Sequence, residues 1–259
     1  MTRLRLALLN AAHDGANTAR NFRRELDADL VEFDVNAGEL PEHVDFDDES
    51  ASSGRTAPPF DGVVITGSRS SVYWDEEWIP PLIEWTAEAA EHGLPILGVC
   101  YGHQVLAEAL GGRVGGMDGF EIGYNAVTRR GDDELFAGID EEFTVFTTHG
   151  DAVLELPPGA EPLADNEYGV HAFRAGRCWG VQFHPEYDVE TAESVTEGKR
   201  DRIGDEAVER VLAEITPERY DAACEAKTLF DNFTAYCRRV RDGDVDGDVE
   251  ADPDAGAEA

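Results

Sequence analysis

The first 110 residues alternate between short apolar runs and longer amphipathic stretches. The short runs predict β-strands at residues 4–9, 30–35, 60–66 and 94–97. The amphipathic stretches predict helices at 18–26 and 79–91, and Pro80 and Pro81 fit the first turn of the second helix. Strands that alternate with helices favour an α/β fold, with a mostly parallel central sheet flanked by helices. Such sheets bind ligands at the carboxyl ends of their strands.

The pattern changes after residue 112. Short strands at 124–128, 143–147 and 169–174 predict an antiparallel excursion before the chain returns to the sheet. Residues 190–239 are predicted to be helical. In the last part of that region the apolar positions fall on one broad face, namely Tyr220, Cys224, Leu229, Phe230, Phe233 and Cys237. We therefore expect one domain over residues 1–240, in which residues 190–240 form a helical appendage.

Acidic residues dominate the composition. The chain has 55 Asp and Glu against 21 Lys and Arg, a formal net charge of −34. Residues 38–59 are polar and acidic and predict a surface loop, and 241–259 predict a disordered acidic tail. This charge disfavours nucleic acid as a partner, because phosphates would be repelled. The acidic surface indicates either a halophile with a salt-rich cytoplasm or docking to a basic partner.

Targeting and metal-binding signals are weak in this sequence. The apolar start is interrupted by Arg3 and Arg5 and ends at Asn10 without a signal-peptide pattern, and no apolar run approaches 18 residues. The cysteines form no Cys-x-x-Cys pair and no ligand spacing with histidine. We expect a cytoplasmic protein without membrane association, metal, cofactor or disulfide framework.

The segment 98–104, Gly-Val-Cys-Tyr-Gly-His-Gln, carries the strongest chemical signal. It follows an apolar run and leads into a helical pattern, so it predicts a strand, a sharp turn and a helix. A Gly-x-nucleophile-x-Gly turn holds its central side chain in a strained, exposed position, and here that residue is Cys100. The positive end of the following helix favours the thiolate. The alternative is a buried structural thiol, which would not need two flanking glycines.

A general base for such a thiolate is predicted at Gly180-Val181-Gln182-Phe183-His184-Pro185-Glu186. His184 and Glu186 are two positions apart at a predicted strand end, so both side chains leave on the same face. Glu186 can then orient the imidazole while its other nitrogen faces Cys100. A surface ion pair is the alternative explanation for these two residues taken alone.

Together these two motifs resemble those of the class I (triad) glutamine amidotransferases. Segment 64–72 resembles the family's oxyanion segment, with Gly67-Ser68-Arg69 where many relatives have Gly-Gly-Pro. Segment 148–153 resembles the His-Gly-Asp segment of the branch similar to GMP synthetase. The resemblance spans about residues 4–188, with a weaker similarity near Asn232. It implies a flavodoxin-like amidotransferase domain.

The family resemblance implies a mechanism. The Cys100 thiolate attacks the side-chain amide of glutamine, His184 protonates the departing ammonia, and water hydrolyses the γ-glutamyl thioester. The backbone N–H groups of Gly67 and Tyr101 are the expected oxyanion-hole donors.

The resemblance also implies further substrate contacts. Gln104 is an expected contact to the substrate. For His149 and Asp151, a substrate or partner contact and a local hydrogen bond both remain open.

The destination of the ammonia is not visible in the sequence, since no ATP-binding or pyrophosphatase loop is found. One interpretation is that a separate ATP-dependent synthetase subunit receives the ammonia. A second is a free-standing hydrolase of γ-glutamyl compounds. A third is a non-catalytic homologue used for binding or regulation, which the intact residues Cys100, His184 and Glu186 disfavour.

Overall fold

A computed structural model describes residues 3–13, 15–42 and 60–245. Within these residues, nine strands form one sheet: β1 (Arg5–Asn10), β2 (Asp29–Asp34), β3 (Gly62–Ile65), β4 (Ile96–Val99), β5 (Arg113–Arg129), β6 (Glu142–Glu155), β7 (Glu161–Asn166), β8 (Gly169–Ala175) and β9 (Cys178–Val181). Their order across the sheet is β2-β1-β3-β4-β9-β8-β7-β5-β6.

Eight α-helices accompany the sheet in the described part of the chain. They are α1 (Gly15–Glu25), α2 (Ile79–Glu91), α3 (Tyr101–Ala109), α4 (Val189–Glu197), α5 (Arg200–Ile203), α6 (Asp205–Glu214), α7 (Pro217–Ala223) and α8 (Thr228–Asp242). Two large clusters of buried apolar side chains contain residues from both halves of the sheet and from the helices packed against it. The predicted α/β architecture is confirmed.

The parallel half of the sheet comprises β2, β1, β3, β4 and β9. Strands β3, β4 and β9 are buried at every position, as expected where helices cover both faces of a parallel sheet. Because β4 lies between β3 and β9, the carboxyl ends of these three strands meet at one edge. The chain segments that follow them supply the candidate site.

The antiparallel half differs from the expectation of short strands. Strand β5 has 17 residues and β6 has 14, and the two pair as a long ribbon. Its register shifts between Gly116 and Glu121. Four glycines at positions 115, 116, 119 and 123 interrupt the hydrophobic alternation of β5. The prediction of short strands was wrong here because hydrogen bonding continues through positions that carry no apolar side chain.

The C-terminal region is helical, as predicted, but it is divided into five α-helices. Gly204 lies between α5 and α6 at a φ of 83°. Thr216 caps α7, whose first residue is Pro217. The apolar face of α8 packs into the core, where Phe233 contacts Trp179 of β9 edge to face. The appendage is therefore joined to the sheet by buried contacts.

Most of the two predicted acidic segments lies outside the described residues. Of the predicted loop 38–59, only residues 38–42 are described, and of the predicted tail 241–259 only residues 241–245. Helix α8 continues to Asp242, two residues into that predicted tail. In the described ranges, no helix is both long enough and apolar enough to cross a membrane.

Candidate active site

Cys100 lies in the turn between β4 and α3, with a φ of 54° and a ψ of −100°. No other described residue apart from glycines has a positive φ. Its backbone N–H donates to the Val181 carbonyl oxygen at 2.7 Å, which fixes the turn to β9. The predicted strained backbone is confirmed. The predicted exposure is wrong, because the loops around the turn leave Cys100 only 4% exposed.

Glycines on both sides of Cys100 are required by close backbone contacts. A Cβ atom on Gly98 would lie 2.3 Å from the carbonyl oxygen of Gly102. A Cβ atom on Gly102 would lie 2.3 Å from the carbonyl oxygen of Ile65 in β3. Both distances are far below van der Waals contact, so α3 packs this tightly only because these positions carry no side chain.

His184 and Glu186 follow β9 in a turn, beyond the last strand residue Val181. His184 Nδ1 lies 2.8 Å from Glu186 Oε1. Glu186 is buried, and the guanidinium of Arg24 donates to its backbone oxygen at 2.6 Å. Cys100 and His184 both lie next to Gly67, where an added Cβ atom would be 3.6 Å from Cys100 Cβ and 2.8 Å from His184 Cε1, and His184 Nδ1 is paired with Glu186. The structure thus brings these three side chains together, although the strand predicted to carry the pair ends earlier.

The electrostatics of His184 follow from these neighbours. Burial alone would lower its pKa, but the negative charges of Cys100 and Glu186 outweigh burial and raise the pKa to about 10. The imidazolium is therefore the favoured form at neutral pH. A thiolate and an imidazolium side by side are the charge arrangement that a cysteine nucleophile needs.

Two side chains that the sequence did not single out complete the surroundings of the triad. The Tyr187 ring stacks on His184, with centroids 4.1 Å apart and planes 18° from parallel. Gln182 Nε2 lies 3.6 Å from the Cys100 sulfur and Gln182 Oε1 accepts from Gln104 Nε2 at 3.2 Å. The signal for Gln182 was its place in the motif of His184. Stacking by Tyr187 has no comparable sequence signal.

The two expected oxyanion-hole residues lie on either side of Cys100. Gly67 follows β3, and a Cβ atom there would lie 3.6 Å from Cys100 Cβ and 2.8 Å from His184 Cε1. Tyr101 is the first residue of α3, where backbone N–H groups have no partner within the helix. Gly67 is therefore packed closely between the cysteine and the histidine.

His149 and Asp151, on β6, are held by local hydrogen bonds. The Asp151 carboxylate accepts from Ser71 Oγ at 2.5 Å and from Tyr73 OH at 2.7 Å. His149 Nδ1 lies 3.0 Å from the Asp151 backbone oxygen. These bonds connect β6 to the loop that follows Gly67, and a substrate contact of either residue stays a prediction.

One group of side chains in the described residues could offer metal ligands, namely Glu121, His149 and His171. Glu121 Oε2 lies 2.7 Å from His149 Nε2 and 3.1 Å from His171 Nε2, while Glu121 Oε1 accepts from Asn166. Burial would raise the pKa of Glu121, but the two histidines lower it to about 2. Glu121 is held in a buried hydrogen-bond network with His149 and Asn166, whereas neither ring nitrogen of His171 makes a hydrogen bond within the described residues.

Two adjoining pockets open at this edge of the sheet. Cys100, Gln104 and Asp151 line one pocket, and His184 and Glu186 line the other. Four residues line both pockets: Ser68, Arg69, Thr148 and Lys199. The nucleophile and the histidine therefore face two parts of one continuous cleft.

The sequence is similar to those of known proteins. A GMP synthase [glutamine-hydrolyzing] from Thermomicrobium roseum is 43% identical over 126 residues, 48% of this chain and 23% of that relative. A GMP synthase [glutamine-hydrolyzing] from Azoarcus sp. is 38% identical over 136 residues, and the match spans 48% of this chain and 25% of that relative. The chain thus matches about a quarter of the length of these relatives.

Solved structures show the same fold. A glutamine amidotransferase from Thermotoga maritima superimposes with a TM-score of 0.73 at 23% identity, covering 90% of this chain and 99% of that one. A glutamine amidotransferase from Methylobacillus flagellatus gives a TM-score of 0.70 at 17% identity, covering 92% and 95%. The family model for class-I glutamine amidotransferases matches residues 20–197. The chain therefore belongs to the class-I glutamine amidotransferase family, a family of enzymes.

Proposed function

We propose that this chain hydrolyses the side-chain amide of glutamine through Cys100, His184 and Glu186. The observation that carries the proposal is that three buried side chains lie together at the strained turn after β4, with His184 paired to Glu186 and Cys100 and His184 both next to Gly67. Membership of the amidotransferase family supports the same chemistry.

The mechanism begins with attack of the Cys100 thiolate on the amide carbon. The tetrahedral intermediate carries an oxyanion, for which the N–H groups of Gly67 and Tyr101 are the proposed donors, each worth about 3 kcal/mol. Collapse breaks the C–N bond as His184 gives its proton to the departing ammonia. A water molecule, deprotonated by the same imidazole, then hydrolyses the γ-glutamyl thioester and releases glutamate.

The ammonia acceptor is proposed from the relatives. Their name, GMP synthase [glutamine-hydrolyzing], combines a synthase with glutamine hydrolysis, and the chain matches only about a quarter of each. We propose that an ATP-dependent synthetase docks over the cleft and uses the ammonia. Free-standing hydrolysis of another γ-glutamyl compound is the alternative.

The experiment is an ammonia-release assay in molar KCl with glutamine and with γ-glutamyl peptides. Cys100→Ala is expected to abolish ammonia release and thioester trapping while the fold is kept. Cys224→Ala is the matched control, because that thiol lies in a partly exposed turn outside both pockets. Ammonia release that survives in Cys100→Ala would overturn the proposed nucleophile.

The acceptor is tested by a pull-down at high salt. A captured ATP-using protein that raises turnover would support the synthetase partner. Full activity without a partner on a γ-glutamyl peptide, with little on glutamine, would support the hydrolase.

A further inference from the structure

Three cationic side chains converge on the pocket that Cys100 lines, namely Arg69, Lys199 and Arg202. Arg69 belongs to the loop after β3, whereas Lys199 and Arg202 lie at the junction of α4 and α5. The Phe120 ring joins the latter two, since Lys199 Nζ lies 5.4 Å and Arg202 Cζ 4.9 Å from its centroid. Two distant parts of the chain therefore place positive charge at one pocket.

None of these three side chains has a carboxylate within ion-pair distance among the residues that the structure describes. Most of the other described arginines do have such a partner, as Arg3, Arg23 and Arg113 do. The chain has one other lysine, Lys227, which pairs with Glu25 at 2.7 Å. Arg200, adjacent to Lys199, pairs with Glu197, Asp205 and Glu209. Three cations without a carboxylate partner thus lie together at one pocket.

The surrounding chain keeps these cations close despite their repulsion. Burial lowers the pKa of Lys199, and the charges of Arg69 and Arg202 lower it further, against an opposing effect of Cys100. Gly150 makes room for Arg202, because a Cβ atom there would lie 2.4 Å from its Nη2. Mutual repulsion among the three cations is relieved when an anion binds between them.

We propose that Arg69, Lys199 and Arg202 form a carboxylate-binding site that positions the substrate amide at Cys100. The inference rests on the proposed function for the identity of the substrate. The carboxylate is either the α-carboxylate of glutamine or a carboxylate in the leaving group of a γ-glutamyl compound. Arg69 and Lys199 line both pockets and so can reach a carboxylate on either side of the scissile bond.

The first test separates binding from chemistry. Lys199→Met removes the charge while keeping a side chain of similar length, and Arg202→Gln replaces the charge with a shorter neutral amide. Each is expected to raise KM by about tenfold with kcat changed by less than about threefold. The conservative variant Lys199→Arg keeps the positive charge, so its KM should stay near the wild-type value. Arg210→Gln is the matched control, because it removes an exposed charge from α6 that lines neither pocket. A fall in kcat alone, or an unchanged KM, would overturn the site.

Substrates distinguish the two sources of the carboxylate. L-Glutaminamide replaces the α-carboxylate with an amide, whereas γ-glutamylglutamate adds carboxylates to the leaving group. If the α-carboxylate binds here, glutaminamide has a raised KM that Lys199→Met does not raise further. If the leaving group binds here, γ-glutamylglutamate has the lower KM and Lys199→Met removes that advantage. If Lys199→Met left KM unchanged both for glutamine and for γ-glutamylglutamate, the proposal would be overturned.

A binding measurement keeps this site testable independently of catalysis. L-Glutamate and γ-glutamylglutamate are titrated calorimetrically into Cys100→Ala and into Cys100→Ala with Lys199→Met, in the same KCl buffer. Binding by the first variant and about tenfold weaker binding by the second would support the site, even if the wild type released no ammonia. Equal binding by both variants would overturn the site while leaving the proposed glutaminase function intact.

Discussion

At the scale of single residues, His184 has the most unusual environment in the cleft. It is buried, paired with the Glu186 carboxylate and stacked against the Tyr187 ring. Its pKa is raised to about 10 because two negative charges outweigh burial. The imidazolium is therefore held at neutral pH and lost as the pH rises through about 10.

Replacing Glu186 tests this balance. Glu186→Gln keeps an oxygen that can accept from His184 Nδ1 but removes the charge, so the pKa of His184 should fall. The high-pH loss of activity should then move to lower pH. Turnover should also fall, but the loss should be roughly tenfold to hundredfold smaller than the loss in Cys100→Ala, since triad members contribute unequally. The pH–rate profile and NMR titration of the His184 ring measure both effects, and a turnover loss equal to that of Cys100→Ala would show a larger role for Glu186.

Residue chemistry could be predicted where it follows from local sequence. Cys100, His184 and Glu186 stand in short motifs, so one sequence was enough to pair them. Lys199 and Arg202 have no such motif, because their meaning depends on Phe120 and Arg69 from distant parts of the chain. The exposure of Cys100 was predicted wrongly because burial depends on loops that pack over the turn.

At the scale of elements, the junction of β4 and α3 holds the nucleophile. The helix begins directly after Cys100 and approaches β3 so closely that Gly102 contacts the Ile65 backbone. The local pattern of an apolar run, a glycine-flanked turn and a helix was sufficient to predict this junction. By contrast, the long ribbon of β5 and β6 could not be recognised, because its length depends on pairing between strands.

Gly102→Ala tests the close packing of α3. Alanine is favoured over glycine within a helix by about 1 kcal/mol, which alone would stabilise the protein. The clash with the Ile65 carbonyl outweighs this, so we expect a net loss of about 1–3 kcal/mol in unfolding free energy. Ammonia release should also fall, because relief of the clash moves Cys100.

Gly198→Ala is the matched control for Gly102→Ala. Gly198 ends α4 at a φ of −66°, and a Cβ atom there would have no neighbour nearer than 3.4 Å. The unfolding free energy of the Gly198→Ala variant should differ from that of the wild type by less than about 0.5 kcal/mol. Denaturant unfolding compares the two variants, and equal stabilities would contradict the packing argument.

At the scale of the whole molecule, charge is distributed unevenly. The net charge is −34, yet the cleft contains three cations that lack carboxylate partners among residues 3–13, 15–42 and 60–245. Elsewhere among the described residues, one arginine can form ion pairs with several carboxylates, as Arg200 does. A substrate carboxylate therefore meets positive charge at the cleft, although the protein as a whole is negative.

The effect of salt on stability follows from the net charge alone. With 55 acidic and 21 basic residues, carboxylates repel one another more in the folded protein than in the expanded chain. Potassium chloride should therefore raise the thermal midpoint, mostly below ~1 M, where the Debye length has already fallen to ~3 Å. A further rise above that concentration would indicate ion binding by carboxylates or stronger apolar burial. A melting series in KCl measures this, and a flat or falling midpoint would contradict a halophilic origin and favour a basic partner as the reason for the acidic surface.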